Sequence, residues 1–309
     1  MAKVYTWRFH VRSYELDERG RVKLTAYQNY LEEAATQASA SNGYDWAWYR
    51  RNRRVWVART ITIRYYAPAV YFDELELRTW VSDYRRVQSN REYDLRRVRD
   101  GAQVLRARTN WVYIDAETLR PQRLPDDFME AFAPTGMLEP LDTDVYPGAP
   151  AGSNGGGLPG APRVFGTGRR AQCYELDSAA HVNNAVYAGW CEQAIIDALS
   201  AAGWSAARFD SEDVALQPLS RQIEYLVSAH AGDELVLNTW LEVARGDRAA
   251  WRTEIRGASS GQLIAVDRAV KACTRADGST SREVPQALLD AMRMSPDPAG
   301  ERADRNAPE

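Results

Sequence analysis

The chain reads Tyr174-Glu175-Leu176-Asp177, and the same four residues occur earlier as Tyr14-Glu15-Leu16-Asp17. The two stretches lie 160 residues apart, and the match at this offset continues without a gap over about 120 residues. It includes Gly43 with Gly203, Tyr65 with Tyr225, Thr79-Trp80 with Thr239-Trp240, and Arg108 with Arg268. An internal repeat of this length predicts two copies of one fold.

Each copy contains one long helical stretch followed by alternating strands. Apolar residues at helical spacing predict helices over 25–41 and 184–202, and Gly43 and Gly203 are expected to end them. Alternation predicts strands over 8–14, 58–66, 74–81, 91–99 and 104–114, and over 170–174, 220–227, 234–242, 250–257 and 263–272. One helix with an antiparallel meander indicates an α+β fold in which each sheet wraps around a central helix.

The repeat also predicts the domain boundaries. An N-terminal domain is expected over 1–132 and a C-terminal domain over 165–292. Residues 133–164 between them are rich in Pro and Gly, which is typical of a flexible linker. Residues 293–309 are polar and are predicted to form a disordered tail.

Composition restricts the class of protein. The 309 residues are 45% hydrophobic and 26% charged, which is typical of a soluble globular protein. No apolar run approaches the roughly 20 residues that span a bilayer, and the N-terminus has no apolar signal region. We therefore expect a cytoplasmic protein without membrane association. Three cysteines are too few and too scattered for a disulfide framework or a zinc site, so no metal is predicted.

Charge is unevenly distributed between the two halves. Residues 1–132 hold 23 Lys and Arg against 18 Asp and Glu, a balance of +5. Residues 133–309 hold 16 against 24, a balance of −8. The basic half favours an anionic partner, and nucleic acid is not expected because no binding motif accompanies the charge.

Only the second copy continues with residues suited to chemistry. Asp177 is followed by His181, Asn183 and Asn184, where the long helix begins. A carboxylate and an imidazole would stand there beside free backbone N–H groups, which suits acid–base chemistry and a developing oxyanion. The alternative is that Asp177 caps the turn and His181 packs beneath it.

The first copy lacks these companions. After Asp17, the corresponding positions hold Arg21, Lys23 and Leu24. Asp17 can cap the turn or pair with Arg21, so a second active site is not expected.

Asp177-x-x-x-His181-Val-Asn183-Asn184-x-x-Tyr187 resembles the motif at the central-helix entrance of hotdog-fold thioesterases of the 4-hydroxybenzoyl-CoA type. Over roughly residues 5–290 the chain further resembles the plant and bacterial fatty acyl-ACP thioesterases, which are tandem double hotdogs. Tyr187-x-Gly189-Trp190 and Arg12-Ser13-Tyr14-Glu15 fit that family. The resemblance implies a double hotdog that hydrolyses acyl-ACP to free fatty acid without a cofactor.

The resemblance also implies roles for individual residues. Asp177 would be the key carboxylate, and the backbone N–H of Asn184 would polarise the thioester carbonyl. His181 would activate or position water, and Asn183 would cap the helix or contact substrate. The second copy would supply the chemistry and the first would form the acyl-chain pocket.

Two departures from the plant enzymes limit which of their catalytic residues can be assigned to this chain. Those enzymes carry Asn two residues after the Asp, where this chain has Ala179. They also carry a Glu-Cys pair near the position of Ser228-Ala229. The resemblance therefore leaves an Asp at a helix terminus, as in the smaller hotdog enzymes.

Three further residues have competing interpretations. Glu192 could be a helix-borne general base, but its counterpart Glu32 in the first copy favours a shared structural carboxylate. Tyr187 belongs to the motif and is a further candidate. Cys191 lies ten residues after His181, but a thiol in an apolar helical run is more often buried and inert.

The remaining hypotheses concern partners. Arg50, Arg51, Arg53 and Arg54 could dock acyl carrier protein or coenzyme A phosphates, or form a solvated surface. Aromatic residues nearby could line the acyl pocket or belong to the core: Tyr44, Trp46, Trp48, Tyr49 and Trp56. An acyl-CoA thioesterase and a non-catalytic acyl-binding protein remain alternatives. A monomer with a pseudo-dimeric core and a homodimer are both compatible with the repeat.

Overall fold

Two copies of one structural unit follow each other along the chain. The computed structural model describes residues 3–141 and 161–293. The first copy consists of β1 (Tyr5–His10), α1 (Leu24–Ala40), α2 (Trp46–Arg51), β2 (Arg54–Tyr65), β3 (Glu74–Arg85), β4 (Gln88–Arg97), β5 (Gln103–Asp115) and α3 (Asp126–Phe132). The second consists of β6 (Phe165–Arg170), α4 (Asn184–Ala201), α5 (Ala206–Ser211), β7 (Ala215–Tyr225), β8 (Glu234–Arg245), β9 (Arg248–Gly257), β10 (Leu263–Thr274) and α6 (Gln286–Ala291).

All ten strands form one antiparallel sheet. Their order is β1-β3-β4-β5-β2-β7-β10-β9-β8-β6, so the two copies join where β2 pairs with β7. Thr62 lies opposite Gln222, its own counterpart at the 160-residue offset, which places a pseudo-twofold axis at this pair. Each half of the sheet wraps around one long helix, α1 or α4. The predicted double hotdog is confirmed.

The long helices were predicted to within one residue. Both are followed by a glycine in the left-handed region, Gly43 at φ 88° and Gly203 at φ 80°, as the sequence indicated. The two helices pack against each other across the pseudo-twofold axis. A Cβ at Gly189 of α4 would lie 2.7 Å from Cγ2 of Thr25 on α1, so glycine permits this close approach.

The first strand of each copy was predicted wrongly. β1 ends at His10 and β6 at Arg170, and a short 3₁₀ turn follows each strand (Ser13–Glu15 and Cys173–Glu175). The turn forms because a carboxylate three residues ahead accepts a hydrogen bond from the backbone. Glu15 accepts from Arg12 N at 2.7 Å, and Glu175 accepts from Gln172 N at 2.8 Å.

The described start of the predicted linker, 133–141, lies against the first copy, whereas its described end pairs with the second copy through Arg163 N, which donates to Met292 O at 3.0 Å. Gly136 N donates to Ser82 O on β3 at 2.9 Å, and Arg108 of β5 donates to Glu139 O. The rest of the predicted linker, 142–160, and the predicted tail beyond Arg293 lie outside the described residues. Among the helices of 3–141 and 161–293, none is long and apolar enough to cross a membrane.

Candidate active site

Asp177 braces the loop that leads from β6 towards α4. Its Oδ1 atom accepts hydrogen bonds from Ala179 N at 2.8 Å and His181 N at 3.3 Å. Its backbone N–H donates to His181 O at 2.8 Å, and Ala180 completes the loop in the left-handed region at φ 62°. The turn-capping role considered for Asp177 is therefore present in the structure.

Asp17 braces the corresponding loop in the same way. Its Oδ1 atom accepts from Arg19 N and Arg21 N, both at 2.9 Å. The Oδ2 atoms of the two aspartates have different surroundings. Oδ2 of Asp17 lies 3.5 Å from Nε of Arg21, whereas Oδ2 of Asp177 has no hydrogen bond or ion pair to any described residue. Of the two aspartates, Asp177 is the one whose second carboxylate oxygen has no partner among the described residues.

Helix α4 begins beside this loop. Asn183 caps it, because Oδ1 of Asn183 accepts from Ala185 N at 2.8 Å. The backbone N–H of Asn184 donates no hydrogen bond within the part of the chain that the structure describes. It is available at the positive end of the helix dipole, where an anion is stabilised.

A carboxylate from the first copy completes the site. Glu32 of α1 accepts hydrogen bonds from Nδ2 of Asn183 at 2.9 Å and from Nδ2 of Asn184 at 3.2 Å. Burial raises the pKa of Glu32, the two amide hydrogen bonds oppose that rise, and the charge of Asp177 adds to it. A raised pKa makes a carboxylate a stronger base once it is ionised.

The sequence reasoning missed Glu32 as a site residue. It noted Glu32 only as the counterpart of Glu192, which was the candidate base. Glu192 is instead held by Arg221 at 3.1 Å and by Lys271, and these cations keep its pKa below the usual value despite burial. Its structural interpretation is supported by these contacts.

His181 stands next to a second histidine. Its ring centroid lies 5.0 Å from that of His230, at an interplanar angle of 83°. Burial lowers the pKa of His181, Asp177 opposes the effect and His230 adds to it. His181 is therefore neutral near pH 7 and can exchange hydrogen bonds with water. His230 has no matching histidine in the first copy, where Val70 stands at the 160-residue offset, so the repeat does not point to it.

Tyr187 holds the loop that carries His230. Its hydroxyl accepts a hydrogen bond from Ala229 N at 3.1 Å, and burial raises its pKa to about 12. Tyr27 makes the matching bond to Ala69 N at 3.0 Å in the first copy. The shared contact indicates a structural role for Tyr187.

Two family models match the chain. Residues 2–132 match the acyl-ACP thioesterase N-terminal domain, and residues 172–292 match the thioesterase-like superfamily. Both halves of the chain therefore match thioesterase domain families, each model over less than half of the chain.

The curated relatives that match the chain are plant acyl carrier protein thioesterases. The chain is 25% identical over 203 residues to oleoyl-acyl carrier protein thioesterase 2, chloroplastic, of Arabidopsis thaliana, covering 62% of this chain and 54% of the relative. It is 25% identical over 200 residues to palmitoyl-acyl carrier protein thioesterase, chloroplastic, of Cuphea hookeriana, covering 60% and 46%. The chain thus spans about half the length of the curated relatives it matches.

Solved structures share the fold. The 12:0-ACP thioesterase from Umbellularia californica superposes with a TM-score of 0.65 at 17% identity, covering 88% of this chain and 94% of that one. A proposed oleoyl thioesterase from Lactobacillus plantarum gives a TM-score of 0.71 at 16% identity, covering 92% and 98%. At these identities the likeness concerns the double-hotdog fold.

Glu192 is the counterpart of Glu32 at the 160-residue offset, and ion pairs surround it. Glu192 bonds to Arg221 and Lys271, and Arg221 also lies 3.0 Å from Oδ1 of Asp267. Burial raises the pKa of Asp267 to about 6. Cys191 is fully buried beside this cluster, and its pKa is raised well above the usual value by burial, so the thiol is inert.

The predicted docking arginines lie in and after α2. Arg50 stacks over the exposed ring of Trp46 at 4.5 Å. Arg53 pairs with Glu117 at 3.2 Å and Arg54 with Asp115 at 2.7 Å. Arg51 is exposed. Acidic neighbours therefore partly neutralise the cluster, and Arg50 and Arg51 are its better candidates for docking.

The aromatic residues proposed to line the acyl pocket mostly pack with one another. Tyr44 contacts Trp48 and Phe128, with ring centroids 4.9 and 4.2 Å apart. Trp56 donates to the Tyr49 hydroxyl at 3.0 Å. These rings form a cluster under α3, as the core interpretation expected, and Trp46 is 56% exposed.

Proposed function

We propose that this chain hydrolyses fatty acyl thioesters of acyl carrier protein, releasing a free fatty acid and the carrier. The observation that carries the proposal is that Glu32 hydrogen-bonds to the first residues of α4, while Asp177, whose charge acts on Glu32, braces the loop before that helix. The carrier is proposed from the curated relatives, which are named as acyl carrier protein thioesterases.

The thioester carbonyl would be bound by the start of α4. Its oxygen accepts a hydrogen bond from the free N–H of Asn184, and the helix dipole stabilises negative charge as the carbonyl is attacked. Preorganised donors of this kind act without reorganisation during the reaction. Asn183 keeps the helix start in place through its cap.

The two carboxylates divide the remaining work. Glu32 is oriented by Asn183 and Asn184 and takes the proton from the attacking water. Asp177, whose Oδ2 atom has no partner among the described residues, either orients the water or attacks the carbonyl itself to form an anhydride that the water then hydrolyses. Neutral His181 positions that water, and the proton taken up by Glu32 returns to the leaving thiolate.

This arrangement offsets the two departures from the plant enzymes. Ala179 cannot supply a side-chain amide, but its backbone N–H fixes Asp177. Ser228 cannot supply a carboxylate, and Glu32 reaches the site from the other copy. Asp177, His181 and Glu32 would therefore provide the acid and base groups, with one carboxylate taken from the first copy and not from the strand after α4.

The carrier is tested by comparing kcat/KM for one acyl chain on acyl carrier protein and on coenzyme A. We expect faster hydrolysis of the carrier-bound substrate. The double variant Arg50→Glu, Arg51→Glu should slow hydrolysis of the carrier-bound substrate, because acidic side chains would repel the carrier. Its acyl-CoA turnover should be unchanged, which controls for folding. Equal loss on both substrates, or faster acyl-CoA turnover by the unmodified protein, contradicts the choice of carrier. Tight acyl binding without turnover would indicate a non-catalytic acyl-binding protein.

A further inference from the structure

The interior of the first hotdog holds a charged side chain that the fold does not explain. Arg91 lies on the inner face of β4, between Val81 of β3 and Thr109 of β5, and only 7% of it is exposed. It donates to the Thr79 hydroxyl at 3.4 Å and stands 5.7 Å from the ring of Phe132. No carboxylate among the described residues pairs with it. A buried guanidinium without a counter-ion is costly, because the charge has lost its hydration without gaining an opposite charge.

Two other buried polar groups share this inner face, the Tyr93 hydroxyl on β4 and the Trp111 indole N–H on β5. Neither has a partner in good hydrogen-bonding geometry among the described residues. Burial raises the pKa of Tyr93, and its weak contacts with Thr109 and with Trp111 oppose that rise. Guanidinium and indole groups can only donate, so this interior is rich in donors and poor in acceptors. An acceptor brought by a ligand would satisfy them.

The second copy shows that the fold does not require these groups. Trp251 replaces Arg91 at the 160-residue offset, and Thr253 replaces Tyr93. The Thr253 hydroxyl bonds to that of Thr239 at 3.0 Å. Lys271 replaces Trp111 and is neutralised by Glu192. The unpaired buried cation is therefore a property of the first copy.

The donors lie next to the proposed thioester site. Burial raises the pKa of Tyr93, the nearby Arg91 cation opposes that rise, and the Glu32 carboxylate adds to it. Tyr93 thus stands within electrostatic reach of both groups. Tyr93 packs in one core cluster with Leu31 of α1, the residue before Glu32, and Arg91 lies two residues from Tyr93 on the same face of β4. An acyl chain directed from Glu32 along this face would reach Arg91.

We propose that Arg91 selects acyl chains that carry a carboxylate at their distal end. This inference rests on the proposed thioesterase function and names its substrate class as ω-carboxyacyl thioesters. A guanidinium binds a carboxylate through two parallel hydrogen bonds, and the pair would neutralise the buried charge. Tyr93 and Trp111 would donate to the remaining lone pairs.

The test compares kcat/KM for matched pairs of plain and ω-carboxyacyl thioesters over a series of chain lengths. Binding of the same chains as free acids is measured in parallel by calorimetry. The unmodified protein should favour the carboxylated member at one chain length by about 10-fold or more, as expected for a charge-assisted hydrogen bond. Arg91→Met should reverse the preference, and Arg91→Lys should retain part of it.

Arg106→Met, on the outer face of β5, is the matched control and should leave the preference unchanged. A plain-chain preference in the unmodified protein, or equal effects of Arg91→Met on both members, would overturn the inference while leaving thioester hydrolysis intact. If no thioester is hydrolysed, the proposed function fails, and the binding preference alone decides the role of Arg91. If Arg91→Met does not fold, the Lys variant carries both comparisons.

Discussion

Asp177 and Asp17 hold their loops with the same hydrogen bonds, and they differ in what surrounds the second carboxylate oxygen. Arg21 lies beside that oxygen of Asp17, whereas that of Asp177 is free. The structural and catalytic interpretations of Asp177 are therefore compatible, because each uses a different oxygen atom.

Asp177→Asn should lower kcat by about 100-fold or more, in the range of general acid–base effects. Asparagine keeps an acceptor oxygen for Ala179 N and His181 N, so the loop should remain intact while the charge is lost. Asp17→Asn makes the same change in the matching loop and serves as the control. Melting temperatures and steady-state rates of both variants separate folding from chemistry. Equal rates for the two variants would remove Asp177 from the mechanism.

Among the secondary-structure elements, the long helices were predictable and the first strands were not. Helical spacing and the glycines after each helix are local signals, so the bounds of α1 and α4 followed from the sequence. β1 and β6 were misplaced because Glu15 and Glu175 close short turns that compete with the strand. A capping carboxylate three residues ahead was the signal that the alternation pattern concealed.

The contact between α1 and α4 depends on Gly189. Gly189→Ala would bring a methyl group to 2.7 Å from Cγ2 of Thr25 and force the helices apart. We expect a loss of about 1–3 kcal/mol in the free energy of unfolding, as for other overpacked sites. The rate should fall as well, since Glu32 would move away from Asn184.

Thr25→Ser removes the clashing methyl group and should restore both quantities in the double variant. Chemical denaturation and steady-state kinetics measure the two effects. A single Gly189→Ala variant with unchanged stability would show that the helices do not need this close approach.

In the whole molecule the two copies have different proposed roles, and the proposed active site contains residues of both. The sequence indicated that the second copy carries the chemistry, through His181 and Asn184 in place of Arg21 and Leu24. It could not indicate Glu32, because the contact joins residues 151 positions apart and exists only through the packing of α1 on α4. Once the pseudo-twofold axis is known, Glu32 and Glu192 occupy equivalent places, and ion pairs fill only the second.

The proposed active site is shared between the two copies, with Glu32 of the first copy as its base. The most direct test is kcat/KM of Glu32→Gln on acyl-ACP, with Glu33→Gln on the exposed face of α1 as the matched control. Glutamine can still accept hydrogen bonds from Asn183 and Asn184, but it cannot take a proton. We predict a loss of about 100-fold or more for Glu32→Gln and little change for Glu33→Gln. Full activity in a folded Glu32→Gln variant would exclude Glu32 as the base.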